Sequence, residues 1–371
     1  MTKVDVKRNL LEHSEVKVRL LGEYLKRYLN IISNDGYTEK ITIYDLFCGE
    51  GIYENQGEGS PLVILRSVKD IHFINVAKLN KILPIDCYFN DIDREKVEKV
   101  KQAVKDKSLY YPEFGKIKYS SNDYKEEIKG LATTLPQSKK QKTFVFIDPY
   151  GYKNIKPRDI QSLLSKGNVE VLMFLPTQFM YRFDANGTPE ALKDFVEELV
   201  EYKSWTDPDS ARKYIDQLKE AFRNYFGPKF FVDTFTIQKD PKTVFCLFFF
   251  CSHIKGFEKM LEAKWEIDTE QGKGWNYTNT GSLFEQFKTN PLEEKLKTFL
   301  KGHKRYNGEI YEFVLKCGFL PTHSNEIFFN WQNNGTLIVE NDKGEKARKS
   351  SFYIAYKYYR DDNKKVKLEL R

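Results

Sequence analysis

The chain has 371 residues, 30% of them charged, with a formal net charge of +7 and a pI near 8.8. That length can bury a full core in one large α/β domain with an appendage, and the modest positive charge permits a polyanionic partner without demanding one. The longest apolar run, Val244 to Cys251, is only strand length, so no membrane helix is expected, and five dispersed cysteines give no disulfide framework and no metal site. The first residues, MTKVDVKRNL, lack an apolar signal core, which makes a reducing cytoplasm the simplest compartment.

Residues 12 to 30 place Val16, Leu20, Leu21, Tyr24, Leu25 and Tyr28 at helical spacing, an amphipathic helix that packs on a sheet. His13, Ser14 and Lys17 cluster at its start, either as a cap and solvated face or as groups that approach a ligand. The strand Ile41 to Phe47 then runs into Gly49 and Gly51, at which backbone can come close to a cofactor, with Asp45 just before the turn as a hydrogen-bond acceptor. The pair Gly49 and Gly51 is followed by Asn55 and Gln56 rather than by a third glycine opening a helix, which argues against hydride transfer. The stretch D-L-F-C-G-E-G resembles instead the first motif of class I S-adenosylmethionine (SAM) methyltransferases, and that resemblance implies SAM as cofactor, held around Asp45, Phe47, Gly49 and Gly51.

Ser60-Pro61 opens a helix, and ILPIDCYFNDID gives a second strand ending in acids, so the unit is βαβ with a parallel sheet. Asp91 or Asp93 can take the ribose hydroxyls of an adenosyl cofactor, although Asp93 also suits a helix cap. Asp123 and Tyr124, after a third strand, would lie beside an adenine. TFVFIDPYGY supplies a central strand with Asp148, Pro149 and Tyr150 at its carboxyl end, where open α/β sheets bind ligands. A fixed carboxylate beside an aromatic face suits an exocyclic amine that becomes cationic as it is methylated, so Asp148, Pro149 and Tyr150 are the catalytic candidates.

A fifth strand exits into Pro176, Thr177, Gln178 and Arg182. A helical pair over 188–203 and 208–226 follows, then the strand pair FFVDTFTI and KTVFCLFFFCSH and the helix GFEKMLEAKWEI. Seven strands ending in a hairpin make a doubly wound, Rossmann-like α/β sheet of the class I methyltransferase type, with Gly272 to Gly281 as loop and a boundary that gives domains 1–282 and 283–371.

The tail from Leu292 carries an excess of Lys and Arg. NGEIYEFVLKCGF and THSNEIFFNWQNNG are spaced as helices, and TLIVE to SFYIAY is expected to form a hairpin around Asp342, Lys343 and Gly344, which together make a winged-helix-like module. Its second helix has no arginine, whereas the wing has Lys343, Lys346, Arg348 and Lys349, so these four are the nucleic-acid candidates, through phosphate more than through bases. A protein-docking role is the alternative.

HSEVKVRLLGEYL, YDLFCGEGIY, GEGSPL, FIDPYGY and FEKMLEAKWEID, in that order, resemble the three-Cys-motif partner protein family of bacteria, TcmP. The resemblance implies a methyltransferase-like fold and a companion protein with three cysteines. Aminomethyltransferases of nucleic acid carry D/N-P-P-Y/F, whereas this chain has D-P-Y-G, so either Tyr150 or Tyr152 could supply the stacking face. Two functions stay open: a SAM-dependent methyltransferase acting on a nucleobase amine of DNA or RNA, and a non-catalytic or weakly catalytic partner subunit.

Overall fold

The computed structural model describes residues 12–151, 153, 155–178, 180–181, 190–200, 209–277 and 291–371. Two compact units divide between Tyr277 and Thr278. Arg182 and Tyr152 lie outside the described residues.

The first unit begins with helix α1 (Glu12–Ser33) and alternates β1 (Lys40–Asp45), α2 (Ser60–Ala77), β2 (Ile85–Asn90), α3 (Arg94–Asp106), β3 (Ile117–Ser120), α4 (Tyr124–Thr134), β4 (Gln141–Ile147), α5 (Pro157–Leu164) and β5 (Val169–Leu175). Helices α6 (Glu190–Leu199) and α7 (Ala211–Phe226) lead to β6 (Phe231–Asp240), β7 (Thr243–Cys251), α8 (Ile254–Ile267) and β8 (Gly274–Asn276). The strands form one sheet in the order β3-β2-β1-β4-β5-β7-β6-β8. The first five are parallel, β7 runs antiparallel to β5, and β6 runs antiparallel to β7. That order is the doubly wound, Rossmann-like arrangement of class I methyltransferases, extended by one strand.

Central strands bury both faces, which is why they read as continuous apolar runs. In β4, Phe144 meets Tyr24 and Tyr28 of α1, while Val145 and Ile147 belong to the core formed with α4, α5, α6 and α7. α1 lies on the other face and packs against α2 and α8.

The eighth strand corrects the expected seven, and the stretch expected as loop over 272–281 contains it. β8 runs parallel to β6, pairing Gly274 with Thr236 and Asn276 with Gln238. The Thr236 amide donates to the Lys273 carbonyl (3.0 Å) and the Tyr277 amide to the Gln238 carbonyl (3.1 Å). A Cβ at position 274 would run into the Thr236 hydroxyl and carbonyl oxygen, so only glycine lets the backbones approach.

The second unit contains α9 (Pro291–Leu300), β9 (Arg305–Tyr306), α10 (Asn307–Lys316), α11 (Pro321–Asn333), β10 (Leu337–Asn341), α12 (Tyr356–Arg360) and β11 (Val366–Leu370), with sheet order β10-β11-β9. Three helices and a small antiparallel sheet make the winged helix. The expected hairpin needs correction, because β10 pairs along its length with β11, from Leu337 opposite Leu370 to Asn341 opposite Val366. The turn at Asp342 to Gly344 does form, but the chain returns only as far as Ala347, whose amide donates to the Val339 carbonyl (2.8 Å). SFYIAY is no strand. Ser350 and Tyr353 have φ of 63° and 55°, and Phe352 and Ile354 are buried, so this segment fills the core instead of extending a ladder.

Gly274→Ala should lower unfolding free energy by ~1–3 kcal/mol through overpacking against Thr236. Urea unfolding measures this, and a variant as stable as the wild type would show that β8 does not pair as described.

Candidate functional site

The strand order reverses between β1 and β4, which makes their carboxyl ends the switch point where such sheets bind ligands. Asp45 ends β1 opposite Phe146, and Asp148 stands two residues farther along the chain, just past the end of β4. The loop after β1 is tied to the end of β2. The Cys48 amide donates to the Asn90 carbonyl (2.8 Å), the Asn90 side-chain amide donates to the Leu46 carbonyl (3.3 Å), and the Gly49 amide donates to Asp91 Oδ2 (3.1 Å). Asp91 Oδ1 accepts from the Asp93 amide (3.0 Å), so both oxygens of this buried carboxylate organise backbone.

The two glycines do different work. Gly51 (φ 79°) packs so closely on α2 and α3 that a Cβ would come within 3.0 Å of Leu62 and 3.2 Å of Val100. Gly49 (φ 61°) meets only the Tyr53 hydroxyl, 3.8 Å from where its Cβ would be. Gly51 closes a packing joint, and Gly49 leaves space over the sheet end.

Asp45 is fully buried, its Oδ1 accepts from the Phe47 amide (3.3 Å), and its Oδ2 has no hydrogen-bond partner among the described residues. Burial pushes its carboxyl up to about 7 against the pull of the nearby Ser60 hydroxyl and the Phe47 amide, and the charges of Asp148 and Asp91 add to the effect of burial. An orphaned buried carboxyl oxygen at a strand end fits a cationic partner.

Asp148 is not a bare carboxylate. Lys17 of α1 donates to both of its oxygens, at 2.9 and 2.8 Å, with the two side chains 12% and 22% exposed. The same ammonium sits 4.1 Å from the centre of the Phe174 ring. One turn earlier His13 packs 5.8 Å from Phe245, and Phe245 in turn lies 5.5 Å from Phe174. Burial, then the nearby charges of Lys239 and Lys17, lower the His13 pKa to about 4, so its imidazole is neutral at pH 7. Tyr150 is 77% exposed and its hydroxyl accepts from Lys96 (2.8 Å).

The remaining candidates hold other positions, each within its own unit. Asp93 caps α3 and Asp123 caps α4, accepting from the amides of Glu95 (3.0 Å) and Lys125 (2.8 Å). Tyr124 is buried behind Phe47, ring centres 5.0 Å apart, so Phe47 is the partly exposed ring of the two. Tyr53 had no sequence signal beyond its place in the glycine-rich loop, yet burial and then the charges of Asp148, Tyr150 and Asp45 raise its phenol well above the usual range. In the second unit Lys343 lies at the turn, Lys346 pairs through its backbone with Glu340, and Lys349 stands 5.9 Å from the Phe329 ring centre. Arg348 follows in the connection, where its carbonyl accepts from the Ser351 amide. Among the described residues no group of three His, Cys, Asp or Glu could hold a metal, and no helix is long and apolar enough to cross a membrane.

Residues 268–344 match the family model of the GMT-like wHTH domain. No curated protein matches the chain. Among solved structures it is similar to a DUF519-family protein from Legionella pneumophila (14% identity, 68% of this chain and 92% of that one, TM-score 0.36). It is also similar to an O-methyltransferase from Bacillus cereus in complex with SAH (9%, 63% and 80%, TM-score 0.36). A third likeness is to an O-methyltransferase of tomaymycin synthesis from Streptomyces achromogenes, in complex with SAM (9%, 62% and 79%, TM-score 0.35). These values carry no functional argument, and the fold class rests on the strand order.

Asp45→Asn should stabilise the protein most at alkaline pH. A carboxyl with folded pKa near 7 and an ordinary unfolded value near 3.8 costs nothing below about pH 4, where both states are protonated. Between these values the unfolded state binds fewer protons, so wild-type stability falls as pH rises, with a limiting slope of about 1.4 kcal/mol per pH unit, and the cost is complete above 7. Unfolding of wild type and variant at pH 4, 6 and 8 measures it, and a difference independent of pH would refute the assignment.

Proposed function

We propose that this protein is a SAM-dependent methyltransferase acting on an exocyclic amine of a nucleobase in DNA or RNA. The observation that carries the reading is the unpartnered buried Asp45 oxygen at the end of β1, at the same sheet end as Asp148 and four residues before the open Gly49. Asp45 would hold the cofactor's ammonium, Phe47 would offer a face to its adenine, and Asp91 and Asp123 would stand nearest its ribose and base, with Gly51, Asp93 and Tyr124 supporting that wall. When bound, the cofactor supplies an electrophilic methyl group on a sulfonium.

The chain's own groups do the rest. Asp148 accepts from the amine and answers the positive charge that develops on nitrogen, and Pro149 stiffens its turn. Lys17 fixes that carboxylate in advance, so its orientation costs little when charge appears. Tyr150 is the exposed ring at the mouth. The winged helix supports a nucleic-acid partner, through Lys343, Lys346, Arg348 and Lys349 as phosphate contacts.

One observation favours a second reading. A carboxylate already answered by Lys17 is partly spoken for, which suits a cofactor-holding partner subunit of the TcmP kind, bound to a three-cysteine companion, in which the pair only pins α1 to β4. Transfer of labelled methyl from SAM to DNA and RNA pools separates the two.

Two outcomes are expected. SAM affinity should rise between pH 6 and 8 as Asp45 ionises, and Gly49→Val, strained at φ 61°, should abolish it. Calorimetry on folded variants measures both, and unchanged affinity in Gly49→Val would remove the site. Asp148→Ala should lower single-turnover transfer about a hundredfold with little change in SAM affinity. Lys17→Met should lower it by less, since the carboxylate remains but loses its brace. Full transfer by Asp148→Ala would take that residue off the catalytic list, and a wild type inert on every pool would favour the partner subunit.

A further inference from the structure

The β3 edge of the first unit carries an aromatic surface that the methyl-transfer site does not use. Tyr110 and Tyr111 are each 40% exposed and Phe73 is 52% exposed, although all three could bury large apolar area elsewhere. Phe114 joins two of them, its ring lying 5.1 Å from Tyr111 and 6.0 Å from Phe73, and Tyr110 precedes Tyr111 in the chain. Lysines stand over the rings: Lys69 of α2 is 5.5 Å from the Tyr111 centre, and Lys101 of α3 is 5.5 Å from the centre of Tyr119 on β3. Lys69 is held there by a hydrogen bond to the Ser108 carbonyl (3.2 Å).

Helix α3 connects this surface with the catalytic mouth. At its first turn Lys96 holds Tyr150, and five residues later, about 7.5 Å along the axis, Lys101 meets Tyr119. Residues 94–107 contain six Lys or Arg against three Asp or Glu, an excess of +3 in 14 residues of a chain whose total is +7. Aromatic faces interleaved with lysines are the arrangement that binds single-stranded nucleic acid, since unpaired bases stack on the rings while phosphates meet the ammonium groups. A duplex hides its base faces and cannot use exposed rings in that way.

We propose that the surface around Tyr110, Tyr111 and Phe73, with Lys69 and Lys101, is a docking platform for single-stranded nucleic acid, from which a strand follows α3 toward Tyr150. This rests on the nucleic-acid half of the function proposed above and names its form: the substrate is presented unpaired, and the first unit adds its own contacts to those of the winged helix.

Fluorescence anisotropy of the full chain with labelled oligo-dT and oligo-U, and with a duplex of equal length, tests it across a salt series. In Tyr110→Ala/Tyr111→Ala, single-strand affinity should fall by about tenfold or more, with an unchanged salt slope, because stacking is lost and phosphate contacts are kept. In Lys69→Ala/Lys101→Ala, the log-log salt slope should fall by about two. Retained SAM affinity and melting temperature in both variants show that they fold. Single-strand affinities within twofold of wild type in both would overturn the platform, including the case in which the surface docks a protein, and leave methyl transfer standing. A wild type that binds no single strand overturns it as well. Loss of SAM binding in the wild type would instead strike the cofactor reading and leave the platform's own result intact.

Discussion

The arrangement of the site depends on how the end of β2 holds the loop after β1. Asn90 and Asp91 contribute one carbonyl, one side-chain amide and one carboxylate, and these meet Cys48, Leu46 and Gly49 in turn. A loop with two glycines at positive φ has many conformations open to it, and each such hydrogen bond removes some of them. Once that loop is fixed, Asp45 is sealed beneath it with one oxygen unanswered, and the space above Gly49 is defined. The charge balance of the sheet end follows, because Asp91 and Asp148 both act on Asp45 and Lys17 meets Asp148 directly.

Much of this could be read along the chain because the relevant signals are local. The run TFVFI, buried on both faces, and the apolar-to-glycine junction at Phe47 to Gly51 each declare a strand and its exit within a few residues. The Lys17–Asp148 pair spans 131 positions, so no periodicity could reveal it, although Lys17 stood out at the start of α1. β8 was hidden because it is three residues long and begins with a glycine, the feature that usually marks a loop. The winged helix shows a different failure. VKLEL at 366–370 alternates as a strand should, with Val366 and Leu368 buried, yet SFYIAY has the stronger β-forming composition and drew the pairing to itself. Two residues at positive φ decided against it, and composition does not report φ.

Asp45 shows how function and stability pull apart at one atom. A buried carboxyl held near neutrality is a poor element of a core, and an amide would be quieter there. What keeps an acid useful at that position is the cation that the proposed cofactor would bring, so the unliganded protein carries a cost that binding would relieve. The Asp233 carboxylate, equally buried, is in the opposite state. Lys219 and Lys264 both meet it, and they depress its pKa against the effect of burial, so it is finished as a structural tie and has nothing left for a ligand.

The two margins of the large sheet share one property that bears on how the protein survives at high concentration. Any open sheet exposes a row of unsatisfied amides and carbonyls at each border, and a long, flat border invites another chain to add itself. Here the borders are strands of four and three residues, β3 and β8, with β8 covering Thr236 to Gln238 of the ten-residue β6, while the nine-residue β7 stays inside. The Phe-rich β7, the segment most prone to self-association in isolation, has neighbours on both sides. The short glycine-led strand beside β6 therefore covers three of its residues and offers another chain a border only three residues long.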